Sequence, residues 1–387
     1  MSSPLHALRN QIAVVGVGNT AYGSFPDVSD YGLGAQAFRS AIEDCGLDKN
    51  QIDGLVCCRV PYYARMGEIL GLDPRWTLQM PPHGRMSGMS IVEAALALHT
   101  GAAKYVALIY ANIGRSRRVN YGGEESAAFW DPWGFTSPGA AHAMMFRMHM
   151  ERYGTTTRQL AEVSVAFRRH ALLQPDAVMK TPMSIDDHEA SRPIVEPLRL
   201  FDYCLINDGA VCLILTTADR ARDLRKPPVL ISGFGARDAF RRSAIPNFDP
   251  DFWYAETRDA GEQAYAMAGV GPSDVDALMC YDNFSPTVLF SLEGLGFCQR
   301  ARRARSWRAA RFSWATGCPP TLTAVTCPTP TCRAGRSTSR RYGSCVASAA
   351  SARCPTARSC STWRPLPARV RSSTPAAEET RHAWTLR

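Results

Sequence analysis

A tyrosine, an aspartate and an asparagine follow one another at a point where the pattern of the chain changes. Before them, the apolar run from Val275 to Cys280 predicts a buried strand. After them, apolar residues recur at helical spacing from Phe284 to Leu295. In α/β proteins, side chains between the carboxyl end of a strand and the next helix line the crevice where ligands bind. The pattern predicts that Tyr281, Asp282 and Asn283 are presented in a candidate site, where a phenol and a carboxyl group could move a proton.

The same residues also have a purely structural interpretation. Asp282 or Asn283 could cap the helix that follows, and Tyr281 could pack on the core as an aromatic residue at a strand end. The residue types alone leave both interpretations open.

The basic character of the chain comes entirely from its last segment. The 387 residues carry a net charge of +9, but residues 301–387 contain 16 arginines, no lysine and only two acids, so residues 1–300 have a net charge of −5. Nucleic acid is therefore not expected as a partner of residues 1–300. The chain has no apolar run of about 18 residues, and its first residues lack the apolar segment of a signal peptide, so we expect a soluble cytoplasmic protein without a membrane span.

Two other patterns bear on cofactors. The stretch GVGNTA at residues 16–21 matches the dinucleotide fingerprint, but a loop containing Gly23 and Pro26 follows it in place of the helix that would hold a pyrophosphate. The cysteines before residue 300 lie in apolar, strand-like runs, and those after it are irregularly spaced without paired histidines. Neither a nucleotide cofactor nor a metal site is expected.

Strand and helix signals alternate along the chain, which predicts an α/β fold. Helices are expected from Ser29 or Asp30 to about Cys45, around Ser87 up to Gly101, and from Thr155 to Leu173; strands are expected at 11–18, 52–59, 104–112 and after Asp208. Residues 115–155 have no clear period, and we expect them to form a long excursion that covers a site.

The pattern then restarts. The stretch PVLISGFG at 228–235 echoes QIAVVGVG at 11–18, and AGVGPSDVDALMCY, which begins at Ala268, aligns without gaps on CGLDKNQIDGLVCC, which begins at Cys45. In that alignment Asp53 matches Asp276, and Cys57 matches Cys280. An offset of about 220 residues predicts two copies of one α/β unit.

These features resemble the thiolase superfamily, and more narrowly its lipid-transfer or sterol-carrier branch, which includes steroid side-chain aldolases. The matching stretches are SGMSIVEAALALHTGAAKYVAL, RYGTTTRQLAEVSVAFRRHA, SRPIVEPLRLFDYCLINDGAVCLILT and YDNFSPTVLFSLEGLGFC, within residues 10–298. The resemblance implies a thiolase-like fold with two repeated halves in α-β-α-β-α layers. Residues 8–225 would form the first half, including an excursion at 115–200, and residues 226–299 would begin a second half that stays incomplete.

Two departures from the family pattern bear on the reaction. Thiolases carry a nucleophilic cysteine three residues before a glycine of the central helix; here Gly88 puts Arg85 at that position, and Ser87 cannot replace a thiolate. The family's H-D-C-F corner reads YDNF here, and a tyrosine at its first position resembles the aldolase branch. The resemblance therefore implies retro-aldol cleavage of a β-hydroxyacyl-CoA, with residues 281–283 catalytic and with Arg85, Ser87 and Gly88 binding the substrate or CoA. In the family fold Arg85 would be near enough to supply positive charge to the reaction, and a plain CoA-phosphate or structural role is equally open.

A retro-aldol reaction needs a base for the hydroxyl proton. Tyr281 could serve as a phenolate, or as one end of a proton relay, if its pKa fell by about three units from its usual value near 10, which is roughly 4 kcal/mol. Two other functions remain open. One is a thiolase that uses Cys280 or Cys298, and the other is a lipid or acyl-CoA binding protein. The resemblance also implies a homodimer, a small zinc-ribbon and OB-fold partner protein, and no cofactor besides the CoA thioester.

After Cys298 the resemblance ends abruptly. The family continues with a glycine-rich segment and, in the aldolase branch, a second catalytic tyrosine. Here the chain is rich in Arg, Ala, Pro, Ser and Thr, as expected when a GC-rich gene is translated out of frame. Degenerate codons for residues 318–333, read two nucleotides later, can spell PTNTHGGHLSHTYM, which is the missing motif. The hypothesis is a frameshift near Arg300, with residues 300–387 an aberrant, irregular tail; the alternative is a genuine disordered basic tail that binds nucleic acid or anionic lipid.

Overall fold

The computed structural model describes residues 4–82, 86–119, 137–238, 249–300 and 323–326. The expectation for the tail therefore lies outside the described residues, except for one short strand. The elements are, in chain order, β1 Ile12–Asn19, α1 Asp30–Cys45, β2 Gly54–Cys58, α2 Tyr63–Leu70, β3 Trp76–Met80, α3 Met86–Thr100, β4 Tyr105–Ile113, α4 Pro138–Tyr153, α5 Thr157–Leu173, α6 Ile185–Ala190, β5 Pro193–Val195, β6 Leu198–Arg199, β7 Asp208–Thr217, α7 Ala218–Ala221, β8 Val229–Ile231, α8 Tyr254–Ala268, β9 Ala277–Cys280, α9 Ser285–Gly294 and β10 Thr323–Thr326.

Most of the first half forms one mixed sheet. Its strand order is β3-β2-β4-β7-β1-β8, with β3, β2 and β4 parallel and the remaining neighbours antiparallel. One apolar cluster lies between this sheet and helices α1 and α2, and a second lies between its other face and α3. The expected α/β fold is confirmed, and so are the limits of α1, which begins at the Ser29 cap and ends at Gly46 in the left-handed region.

The start of the second half pairs with the start of the first. Strand β8 runs antiparallel to β1, and Ala13 lies opposite Leu230, its counterpart in the two matched stretches. The flanking pairs, Ile12 with Ile231 and Val14 with Val229, are arranged symmetrically about that point. The two copies are thus related by a local two-fold axis.

Gly18 and Gly235, the last glycines of the two matched stretches, allow the same close packing of a helix in both copies. A Cβ atom on Gly18 would lie 2.1 Å from the carbonyl oxygen of Ala37 in α1, and one on Gly235 would lie 1.8 Å from that of Ala260 in α8. Only glycine lets these helices approach their strands so closely. This close packing confirms the repeat and explains the G-x-G pattern without a nucleotide.

A third apolar cluster surrounds the start of the second half. Helices α4, α5 and α9 pack with β9 in this cluster, and Phe146, Leu278 and Leu292 are almost fully buried there. Strand β10 pairs in parallel with β9, so four residues of the tail form a strand, whereas an irregular tail and an unpaired sheet edge were expected. Within the described part of the chain, no helix has the length and apolar character needed to cross a bilayer.

Helix α4 corrects one expectation from the sequence. Residues 115–155 were expected to lack regular structure, but Pro138–Tyr153 form a helix that Ser137 caps and Gly154 ends. Its buried residues include glycine, histidine and methionine, which give a weak apolar period. Residues 120–136 of the excursion lie outside the described part.

Candidate active site

The predicted site residues connect β9 to α9. Strand β9 buries Leu278 and Cys280, and Pro286 near the first turn favours the start of α9. Tyr281, Asp282 and Asn283 form the corner between these two elements, as the sequence predicted.

The expected exposure of this corner is wrong for two of its three residues. Tyr281 is 8% exposed and Asn283 is 3% exposed, while Asp282 keeps part of its surface accessible. The corner is covered because Tyr203 pairs with Phe284 through a β-bridge and because the amide of Cys204 donates to the carbonyl oxygen of Asn283 at 3.0 Å. Helix α4 packs on the same side. The catalytic roles of the three residues stay predictions.

All polar atoms of the Asn283 side chain bond to the protein itself. Its Oδ1 accepts from the backbone N–H of Phe284 at 3.0 Å and from Oγ1 of Thr287 at 2.7 Å. Its Nδ2 lies 3.4 Å from Nε2 of His142 in α4. Asn283 therefore fixes the start of α9 and ties it to α4, which is close to the capping role that the sequence left open.

His142 was not identified from the sequence. It is completely buried, its Nδ1 lies 2.7 Å from the carbonyl oxygen of Pro138, and its ring centroid lies 4.1 Å from that of Phe284. Burial lowers the pKa of His142 to about 4, although the Pro138 carbonyl partly offsets this effect. A histidine one turn after the start of a capped helix was the available signal, but the helix itself was not predicted.

Tyr203 forms another wall of the corner. Its ring packs edge-on against Phe284 with centroids 4.9 Å apart, and a Cβ atom on Gly139 would lie 2.6 Å from the Tyr203 ring. Burial, and then the nearby carboxylate of Asp202, raise the pKa of Tyr203 to about 12. The hydroxyl group of Tyr203 is therefore a poor source of a phenolate at neutral pH.

Asp282 has the acid-base properties that a proton acceptor needs. Desolvation raises the pKa of its carboxyl group to about 7, and a hydrogen bond with its own backbone only partly opposes this shift. The residue is partly exposed by surface area, but dense protein surrounds the carboxyl group and accounts for the direction of the shift. A group that titrates near neutral pH is suited to take up and release a proton.

The two thiols considered as nucleophiles have the opposite character. Burial raises the pKa of Cys280 to about 12, with Asp282 adding to the effect, and burial together with Glu293 raises the pKa of Cys298 to about 12. Both are protonated at neutral pH and lack the thiolate character of catalytic cysteines. In the described ranges, no group of three or more His, Cys, Asp or Glu side chains could hold a metal ion.

Two of the three residues predicted to bind the substrate, Ser87 and Gly88, lie on α3, which packs on the first sheet. Ser87 is buried in the first turn of that helix, and its carbonyl oxygen accepts from Oγ of Ser90 at 2.7 Å. Gly88 faces a space in which no described atom lies within 4 Å of an added Cβ. Arg85 lies outside the described residues. The hydrogen bonds of Asn283 run to α4, α9 and residue 204, and so do not join the corner to Ser87.

The chain is similar to several known proteins. The family model described as thiolase C-terminal domain-like matches residues 243–323. A steroid side-chain-cleaving aldolase from Thermomonospora curvata is 32% identical over 318 residues, which cover 76% of this chain and 80% of that protein. A 17-hydroxy-3-oxo-4-pregnene-20-carboxyl-CoA lyase from Mycobacterium tuberculosis is 33% identical over 315 residues, which cover 75% of this chain and 80% of that protein.

A solved structure shows the same relationship. The Ltp2-ChsH2(DUF35) aldolase superposes with a TM-score of 0.73 at 31% identity, covering 82% of this chain and 84% of that one. The resemblance inferred from the repeat and from the YDNF corner is thereby confirmed. The chain belongs to the thiolase superfamily, in the sterol-carrier-like branch that contains the steroid side-chain-cleaving aldolases.

Proposed function

We propose that this protein is a retro-aldolase that cleaves a β-hydroxyacyl-CoA, with a steroid side chain as the substrate class. One observation carries the proposal. At the carboxyl end of β9, a tyrosine adjoins a carboxyl group whose pKa is raised to about 7, whereas the thiols of Cys280 and Cys298 remain protonated. The substrate class is supported by the names of two relatives, which are 32% and 33% identical to this chain over about three-quarters of its length.

The proposed reaction needs a base and no nucleophile. The base removes the proton of the β-hydroxyl group, the bond between Cα and Cβ breaks, and its electron pair forms the enolate of the thioester. Cβ leaves as a ketone, and protonation of the enolate at Cα gives the shorter acyl-CoA. No cofactor besides the CoA thioester takes part.

In this mechanism Tyr281 and Asp282 form the proton relay. Tyr281 contacts the substrate hydroxyl group, and Asp282 accepts the proton because its carboxyl group titrates near neutral pH. This arrangement removes the need for a large fall in the tyrosine pKa. Asn283 holds the corner and does not exchange protons. Arg85, Ser87 and Gly88 remain proposals for binding CoA.

We also propose that the reading frame of the coding DNA is disrupted near codon 300. The last described residue before the tail, Arg300, is packed on the protein, since its guanidinium pairs with Asp251 and lies 4.1 Å above the ring of Tyr254. The match to the Thermomonospora relative leaves about a quarter of the chain uncovered, although the family model extends to residue 323. Activity of the chain as written is therefore expected to be impaired.

Resequencing the DNA from codon 298 to codon 323 tests this. The hypothesis requires a restored frame that encodes a glycine-rich motif. An intact frame with the same tail in related strains would contradict it. The protein made from corrected DNA is called the frame-restored protein below.

The activity test uses the frame-restored protein with a panel of β-hydroxyacyl-CoA esters. We expect a ketone and a shorter acyl-CoA in equal amounts. Tight binding of a steroid acyl-CoA without release of ketone would favour the alternative of a binding protein. Labelling of Cys280 or Cys298 by an acyl-CoA analogue would favour the thiolase alternative.

Assembly follows the same proposal. Strand β3 is an edge of the six-stranded sheet, carries the half-buried side chains of Trp76 and Leu78, and has no partner strand on its outer side among the described residues, so it could pair with a second copy. We propose a homodimer, to be tested by light scattering.

The two-component name of the Ltp2-ChsH2(DUF35) aldolase supports a small partner protein, to be tested by copurification with the product of a neighbouring gene. The cytoplasmic location stays a prediction.

A further inference from the structure

Five polar groups form a network of hydrogen bonds between α9 and α4, and their chemistry fixes every proton in it. Oδ1 of Asn283 accepts from two donors, the N–H of Phe284 and the hydroxyl group of Thr287, so Nδ2 must be the atom that faces His142. Because an amide nitrogen can only donate, Nε2 of His142 must accept. Nδ1 faces the carbonyl oxygen of Pro138, which can only accept, so Nδ1 carries the proton.

The surroundings hold His142 in this single form. Its ring lies between Phe284 and Trp253, with centroid distances of 4.1 and 5.3 Å, and none of its surface reaches solvent. Burial holds its pKa near 4, so the ring stays neutral throughout the physiological range. The Nδ1–H tautomer is the only neutral form that satisfies both neighbours.

This network of hydrogen bonds acts on the residues beside it in sequence. The corner is held at its start by the buried side chains of Leu278 and Cys280 in β9 and at its end by Asn283, so Tyr281 and Asp282 lie between two fixed points. Without an acceptor at Nε2, the buried Nδ2 of Asn283 would lose its partner, which costs more than one ordinary hydrogen bond contributes. Asn283 would then rotate, and the backbone of the corner would move with it.

We propose that His142 is a positioning residue for the reaction, which orients Tyr281 and Asp282 through Asn283 and acts only as the neutral Nδ1–H tautomer. It touches neither the substrate nor the reacting atoms. The reaction to which it contributes rests on the proposed function, whereas its effect on the corner does not. A merely structural histidine would stabilise α4 without influencing the carboxyl group of Asp282.

Two amide variants, each of which replaces one nitrogen of the ring, separate these roles in the full-length chain. His142→Gln places an acceptor oxygen near the position of Nε2, and His142→Asn retains a donor near Nδ1 but has no acceptor facing Asn283. His149→Gln is the matched control, because His149 is an equally buried histidine of α4 that bonds to Thr155 and Glu293 in place of the corner.

The first measurement is the ¹⁵N spectrum of the His142 ring at pH 6–8, in which the Nδ1–H tautomer is expected. The second is a ¹³C titration of the Asp282 carboxyl group. In His142→Asn we expect its pKa to fall by about one unit or more, because a loosened corner admits water. His142→Gln and His149→Gln should leave it unchanged, even where they lower the melting temperature.

Turnover of the same variants in the frame-restored protein gives a third measurement. His142→Asn should lower kcat about tenfold or more with KM little changed, and His142→Gln should recover most of that loss. If no variant has retro-aldol activity but the titrations follow the pattern, the positioning role stands and the proposed function fails. An Nε2–H tautomer, or equal shifts of Asp282 in His142→Asn and His149→Gln, would overturn the proposal.

Discussion

The corner after β2 and the corner after β9 occupy the same place in the two copies of the repeat, but different parts of the protein hold them. In the first copy, Nε2 of Gln79 on the neighbouring strand donates to the carbonyl oxygens of Cys57 and Val60, at 3.3 and 3.0 Å. This clamp surrounds Arg59, which has a left-handed backbone with φ of 60°. The first corner is thus fastened within its own sheet.

In the second copy, the counterpart of Arg59 is Asp282, and the fastening comes from α4 through His142 and Asn283. The equivalent position of the repeat is used once for structure and once to hold a titratable group among buried neighbours. A duplicated unit can therefore gain a site when an element outside the sheet, here α4, holds one of its corners in place.

The largest effect is expected when the phenol of the second corner is removed. Tyr281→Phe in the frame-restored protein should reduce kcat about a hundredfold or more, the usual contribution of a positioned acid-base group. Tyr203→Phe is the matched control, since Tyr203 lines the same corner and its pKa is raised to about 12. Equal losses in both variants, or full activity of Tyr281→Phe, would remove Tyr281 from the mechanism.

The packing of both copies is tested by adding one methyl group to each. Gly18→Ala and Gly235→Ala should each lower the free energy of unfolding by about 2–3 kcal/mol, because the new Cβ would overlap a helix carbonyl oxygen. Chemical denaturation of the full-length chain measures both. If only Gly18→Ala were destabilising, the second copy would not be packed like the first.

The pH dependence of stability tests the raised pKa of Asp282 in the second corner. The folded pKa of Asp282, about 7, is raised above its usual value of 3.8, so the folded state binds the proton more tightly and stability falls as pH rises from about 4 to about 7. Asp282→Asn should abolish this slope and raise the free energy of unfolding at pH 8 by about 2 kcal/mol, a value reduced for its partial exposure. Parallel pH profiles for the two proteins would contradict the shift.

The smallest effect is expected at the first corner. Gln79→Met keeps the volume but removes both hydrogen bonds, which should cost about 1 kcal/mol of unfolding free energy. The carboxyl titration of Asp282 and the turnover of the frame-restored protein should not change. A change in either would show that the two corners are coupled.

The sequence predicted the repeated architecture because its signals are local. The capped helix from Asp30 is recognised from neighbouring residues, and the match of Asp53 with Asp276 needs only the comparison of two short, gap-free stretches. The aldolase relationship was predicted from the resemblance carried by YDNF. The burial of Tyr281 and the role of His142 were not predicted, because they depend on α4, which lies more than a hundred residues earlier and has a weak apolar period.

The central claim is that this site breaks a carbon–carbon bond by proton transfer and not through a thiolate. Rapid quenching of the frame-restored protein with a β-hydroxyacyl-CoA, followed by intact-mass analysis of the protein and assay of the ketone, tests it most directly. We expect that ketone forms in the first turnover while the mass of the protein does not change. An acyl group on Cys280 or Cys298 that forms before any product would contradict it.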